Sequence, residues 1–258
     1  MLNLDDLTAF APLDTRGLLQ HIAAWPAQLA AAWTLGQSLA LPENARAARH
    51  ILLAGRGDSA LAGELARQAA QPTASLPITL WTGAEPPAWL GAETLVIALS
   101  HSGETPATLA LAEAAQARGA ALLAVTRGGR LANVPGGAAW RYTTAANAPD
   151  GFVPLAALTL AALHQLDLFL PEAGDLAEAE AALRHQQAAL HADSPLARNP
   201  AKRMAGQLFN RAAALFVTDD LAPAGRWWQG QINQQAKAWA TCQPLAESDH
   251  ALAGRFLP

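Results

Sequence analysis

Between residues 15 and 40, leucine, alanine and tryptophan recur every three or four positions, which predicts helix interrupted at Pro26. The pattern then shortens. "HILLAG" at 50–55 reads as a buried strand and "DSALAGELARQAA" at 58–70 as the helix that follows it. "PITLW", "TLVIAL", "ALLAVT" and "AAWRYT" are further strands, with a helix over Glu104–Arg118 between the second and third of them. Alternating strands and helices with short connections predict a parallel sheet covered on both faces. From Val153 to His191 the spacing is helical again, broken near Pro171 to Gly174; "DSPLARNP" is a turn, and Ala201–Asn210 a helix. A second strand–helix–strand passage follows, with "AALFV", a helix over Pro223–Trp239, and "TCQPLA". The expected class is α/β, a doubly wound parallel sheet flanked by helices, with a second, smaller and incomplete α/β subdomain. The expected boundaries are 1–44 for an N-terminal helical segment, 45–195 for the first subdomain and 196–258 for the second.

Composition narrows the function classes. The 258 residues are 52% hydrophobic and 15% charged, enough apolar surface for a packed core in one or two domains. Net charge is −4 and no Lys/Arg run occurs, which argues against a nucleic-acid or anionic-membrane partner. Cys242 is the one cysteine, so no internal disulfide can form and a reducing compartment is the simple reading. "MLNLDDLTAF" carries acids where a secretory signal carries lysine or arginine. The most apolar window, Phe152 to Leu170, includes His164, Gln165 and Asp167 and reads as a buried helix rather than a membrane span. A soluble, cytoplasmic protein is expected.

The candidate chemistry sits in "LVIALSHSGETPATLALAEAA", residues 95–115, where Ser100, Ser102, Gly103 and Thr105 fall between a strand and a helix. In a doubly wound sheet, ligands bind beyond the carboxyl ends of the strands. A helix opening there offers unpaired N–H groups and a positive dipole end to an anion. Gly103 permits a tight turn, and the hydroxyls add donors that match the several acceptor oxygens of a phosphate. One capping hydroxyl with the rest a solvated turn fits the spacing equally well. "GRGDSALAG" imitates a dinucleotide fingerprint, but Ala60 stands where the third glycine belongs and "PITLW" ends without an acid for a ribose. The "RGD" within it reads as chance.

The run "SHSGETPATLALAEAAQARGAALLAVTRGGRLA" resembles the phosphosugar-binding core of the sugar isomerase (SIS) fold, with its Ser-x-Ser-Gly-x-Thr loop, and within that fold the bifunctional phosphoglucose/phosphomannose isomerase family. "AGRGDSALAGELA" stands in the place of that family's glycine-rich loop, and "NPAKRMAGQL", "RWWQGQINQQAK" and "PLAESDHALAG" resemble its later segments. The resemblance implies phosphate contacts from Ser59, Ser100, Ser102, Gly103 and Thr105, a substrate loop of Gly55, Gly57 and Asp58, and ring opening by His250. It implies no metal and no cofactor, a small-molecule sugar phosphate as ligand, and a homodimer.

The sequence departs from the family pattern in its chemistry. Gln234 occupies the position of the proton-transferring glutamate, and an amide cannot abstract a carbon-bound proton. Leu155 replaces an enediol-stabilising arginine, Asp58 replaces a glycine, and the family's C-terminal lysine has no counterpart up to Pro258. Glu247 and Asp249 are carboxylates near His250 that could replace the missing base; Arg226 and Lys237 read as exposed helix residues or as cleft lining. Two functions stand: an aldose–ketose isomerase acting on glucose, mannose and fructose 6-phosphates, or a non-catalytic or regulatory sugar-phosphate-binding protein that has lost the proton-transfer base.

Overall fold

The computed structural model describes residues 3–9, 12–145 and 148–246. They form two compact units, a larger one over Asp14–Gln186 and a smaller one joining the N-terminal residues up to Leu13 to the chain from Gln187 onward.

In the larger unit, α1 (Leu18–Ala23) and α2 (Trp25–Ser38) precede the strand–helix alternation. Pro26 lies in the first turn of α2, where its missing N–H has no intrahelical partner to lose. The alternation then runs β1 (His50–Ala54), α3 (Asp58–Ala70), β2 (Ile78–Trp81), β3 (Thr94–Ser100), α4 (Pro106–Ala117), β4 (Ala121–Thr126), β5 (Ala138–Arg141) and α5 (Phe152–Gln165). The five strands are parallel in the order β2-β1-β3-β4-β5. The chain thus steps outward from β1 to β2, then returns to place β3 on β1's other side. The carboxyl ends of β1 and β3 therefore flank the point where strand order reverses.

Every residue of β3 and β4 is buried, so their sequences show no polar alternation. The pleat still sorts them. Ile51, Leu53, Leu95, Ile97, Leu99, Leu123 and Val125 face a core shared with α2, α3 and α5. Leu52, Ala54, Val96, Ala98, Leu122 and Ala124 face Leu109, Leu111, Ala112 and Ala115 of α4. The apolar window at 152–170 forms α5, with ten buried residues, as a core helix. Among the described residues no helix is long and apolar enough to cross a membrane.

A helix without buried residues, α6 (Asp175–Leu190), leads into the smaller unit. There α7 (Pro200–Leu208), β6 (Ala213–Val217), α8 (Ala222–Gln234) and β7 (Ala240–Pro244) give a two-stranded parallel sheet with its crossover helix. The α8 helix ends five residues before the expected Trp239. Asn233 is the reason: its side chain accepts the Ala240 N–H at 2.7 Å and donates to the Ala240 carbonyl at 3.2 Å, so the chain must turn back into β7. Lys237 makes that turn at φ 54°. Asn199 caps α7 by accepting the Ala201 and Lys202 N–H groups, and Lys202 pairs with Asp5 at 3.0 Å.

Gly36 marks where α2 and α5 press closest, since a Cβ there would collide with the Ala161 Cβ. Gly36→Ala gains about 1 kcal/mol of helix propensity but overpacks this contact, a change that costs about 1–3 kcal/mol. A net loss of stability is expected in urea unfolding; a gain would show that α2 can slide without cost.

Candidate functional site

The turn from Ser100 to Thr105 leaves the carboxyl end of β3 at the reversal point. Gly103 holds φ 71°, a conformation that suits glycine. Its N–H donates to Ser100 Oγ at 3.1 Å, and the Glu104 N–H donates to Ser102 Oγ at 3.1 Å. Ser100 Oγ and Thr105 Oγ1 lie 3.0 Å apart. Each hydroxyl carries one hydrogen. The Ser100–Thr105 contact uses one of the three, so two remain for another acceptor. Thr105 is the N-cap residue of α4, yet no side chain caps that helix; the opening amides stay uncapped. The hydroxyls therefore hold the turn without closing the helix end.

A second loop clamps this turn. The Leu131 N–H donates to the Gly103 carbonyl at 3.0 Å, and the Arg127 N–H to the His101 carbonyl at 3.3 Å. A Cβ on Gly103 would overlap the Gly128 carbonyl oxygen, and one on Gly129 the Ser102 carbonyl oxygen. Glu104 completes the clamp by accepting the Arg130 N–H at 2.8 Å and its Nε–H at 2.9 Å. These bonds hold the Glu104 carboxyl below the usual carboxylate range.

Across the reversal point, Gly55 to Ser59 leave β1. Gly55 is buried, and a Cβ there would come within 3.0 Å of the Ala60 nitrogen. Gly57 turns at φ 52° into α3, Asp58 opens that helix half-buried, and Ser59 is buried behind it.

The structure adds groups that the sequence did not single out. His101 follows Ser100 on the pleat and so faces the α3 and α5 side, where its Nδ1 lies 2.9 Å from the Tyr142 hydroxyl. Its Nε2 is buried without a hydrogen bond among the described residues. Burial pushes the imidazole pKa down, as does Arg127; Asp150 and the Ala148 carbonyl oppose this, and His21 adds to it. His21 Nε2 lies 3.3 Å from Asp150 Oδ1, and both residues are buried. Burial raises the Asp150 carboxyl, but hydrogen bonds from His21 and the Phe152 N–H outweigh it and hold the group low. Burial also raises the Tyr142 hydroxyl far above the ordinary phenol. Gly151 leaves room for this cluster, because a Cβ there would strike both Tyr142 and His101.

The remaining expected residues lie elsewhere. Leu155 is fully buried in the core beside α5's neighbours, so no cation occupies that position. Gln234 is the exposed last residue of α8 in the smaller unit. Arg226 and Lys237 are exposed in that unit as well. Glu247, Asp249 and His250 fall outside the described residues. Among the described residues, no cluster of His, Cys, Asp and Glu has a metal-holding arrangement.

Residues 46–166 match the family model described as SIS domain, and residues 197–255 that described as bacterial phospho-glucose isomerase C-terminal SIS domain. The chain belongs to the SIS family. It is 27% identical over 240 residues to a bifunctional phosphoglucose/phosphomannose isomerase of Caldicellulosiruptor bescii, covering 90% of this chain and 70% of that protein. The protein of the same description from Thermoplasma acidophilum is 26% identical over 204 residues, covering 78% of this chain and 60% of its own. Among solved structures, tagatose-6-phosphate ketose/aldose isomerase from Escherichia coli aligns with a TM-score of 0.68 at 18% identity, over 92% of this chain and 69% of that one. The C-terminal domain of glucosamine-fructose-6-phosphate aminotransferase from Francisella tularensis gives 0.64 at 16%, over 91% and 72%. At such identities these structures speak for the fold alone.

Gly103→Ala tests the clamp. It adds a strained left-handed residue and a clash with backbone, so a loss above about 2 kcal/mol is expected in urea unfolding. An unchanged midpoint would mean that the turn is not pinned by Gly128.

Proposed function

We propose that the chain is a phosphosugar isomerase that binds a hexose 6-phosphate with the phosphate on the Ser100–Thr105 turn and interconverts aldose and ketose forms of glucose, mannose and fructose 6-phosphates. One observation carries the binding half: the turn at the reversal point keeps two hydroxyl hydrogens and an uncapped helix end beside them. A phosphate dianion takes up such donors and is favoured by the helix dipole. Ser59, Ser102, Gly103 and Thr105 are the contacts, with Ser100 positioning the turn from beneath. Gly55 and Gly57 let the α3 loop approach the sugar. The isomerase half draws support from the bifunctional phosphoglucose/phosphomannose isomerases that the chain is similar to. A homodimer belongs to the same reading; Phe209, Phe216, Trp228 and Trp239, exposed in the smaller unit, suit a contact between copies.

A second reading has its own observation. The buried Leu155 and the amide of Gln234 favour a sugar-phosphate-binding protein without turnover.

Incubation with fructose 6-phosphate in heavy water separates the two. Deuterium at C2 of glucose 6-phosphate or mannose 6-phosphate is the expected result; binding without exchange selects the second reading. For the cradle, Ser102→Ala with Thr105→Ala is expected to weaken fructose 6-phosphate binding by at least about tenfold, since each donor to a charged acceptor contributes about 1.5–3 kcal/mol. Calorimetry on the folded double variant reads this, and unchanged affinity would reduce the hydroxyls to turn formers.

A further inference from the structure

Isomerisation needs a group that can accept a carbon-bound proton, and the amide of Gln234 cannot. The larger unit places several titratable groups around the reversal point, and most are already committed. Glu104 is held by Arg130. Asp150 accepts from His21 and from the Phe152 N–H. His101 is fixed through Nδ1 by Tyr142, and its Nε2 is closed off from solvent. Tyr142 is buried and kept protonated.

Asp58 differs from all of these. It opens α3 on the loop that leaves β1, beside Ser59 and across the reversal point from the hydroxyl turn. Its side chain is half-buried, and the carboxylate makes no hydrogen bond and no ion pair among the described residues. An acid at a helix opening is ordinarily stabilised in its charged form by the helix dipole. Here burial raises its pKa, Asp150 raises it further, and Arg16 alone among its charged neighbours opposes them. That is the environment of a base rather than of a helix cap.

Resting on the isomerase reading, we propose that Asp58 is the base that carries the proton between the two reacting carbons of the bound sugar phosphate. The Asp58 carboxylate takes the proton from C2 of the open-chain aldose. The C–H pair becomes the C1=C2 bond, and the carbonyl pair moves onto O1, which takes the hydrogen of the O2 hydroxyl. The O2 lone pair then re-forms a carbonyl at C2, the C1=C2 pair returns to C1, and C1 takes the proton back from Asp58. Atoms and charge balance without a co-reactant, and the ketose leaves with Asp58 ionised again.

The proton can be accepted only while Asp58 is ionised, so exchange is lost as pH falls through its raised pKa. Asp150→Asn keeps an acceptor for the Phe152 N–H and removes the charge that raises Asp58, so the acidic limb moves to lower pH. Arg16, the opposing charge, stays in place.

Asp58→Asn is expected to lower deuterium exchange into fructose 6-phosphate by at least about 100-fold, the lower range for a general base. Its calorimetric affinity for fructose 6-phosphate should be equal or tighter, because a negative charge near the dianion is gone. Exchange within threefold of the unaltered protein overturns the role of Asp58 and leaves the isomerase reading intact. Binding without exchange in the unaltered protein overturns this role and selects the binding protein, whereas no binding of fructose 6-phosphate removes both. If Asp58→Asn does not fold, the Asp150→Asn profile decides: a limb shifted to lower pH supports the assignment, and a limb that stays where it was overturns it.

Discussion

The close approach of two backbone turns, Gly103 against Gly128, is the constraint on which the site depends. No side chain fits between them, because a Cβ on Gly103 would occupy the Gly128 carbonyl oxygen. Gly103 must therefore be glycine twice over, once for its φ of 71° and once for the contact. With the two turns locked, the Leu131 N–H satisfies the Gly103 carbonyl and the Arg127 N–H satisfies that of His101. The His101 and Gly103 carbonyls are thus taken up by the second loop, while no side chain caps the opening amides of α4. Those two carbonyls are thereby kept from the helix's free amides, a segregation that suits an anion site.

The sheet supplies the frame for that segregation. Because the pleat alternates, consecutive residues at the end of β3 leave on opposite faces. Ser100 continues the set that faces α4, and His101 the set that faces α3 and α5. One turn therefore presents hydroxyls at the helix end and an imidazole to the His21–Asp150 pair behind it. Two consecutive residues thus serve opposite faces, Ser100 the hydroxyl turn and His101 the buried imidazole cluster.

The architecture was largely legible in the residues, because short apolar runs flanked by glycine and helical spacing give strands and helices directly. The sheet order was not, since β3 and β4 are buried throughout and their facing positions differ only in the pleat. The α8 helix was read too long because a cross-element bond decides its end, from Asn233 to Ala240, and no local propensity encodes it. The hydroxyl turn was visible as surplus Ser and Thr, though its division of labour depends on hydrogen bonds. The His21–Asp150–His101–Tyr142 cluster was missed altogether: His21 and Asp150 are 129 residues apart, and nothing marks either one. Gly151 was the only available signal, a glycine directly after an acid and before an apolar helix, and turns supply many of those.

Asp58 shows how a departure from a family pattern changes meaning once its surroundings are known. Beside a phosphate loop an extra carboxylate looks like a defect, since like charges repel. Yet a carboxylate left unpaired and half-buried near Asp150 is also a group whose charged form is disfavoured, so it holds a proton more readily than an exposed acid does. Leu155 moves the other way. Where an arginine would sit, the side chain is packed wholly into the core against the sheet, and returning a guanidinium there would mean burying a charge without a partner. Where the resemblance implies a cation and a glutamate the chain carries Leu155 and Gln234, while the loop after β1 carries the carboxylate of Asp58. Decay alone would remove groups without adding one of matching chemistry beside the hydroxyl turn. The losses and the gain together fit the proposed relocation of proton transfer into the larger unit, beside the turn proposed to take the ligand's phosphate.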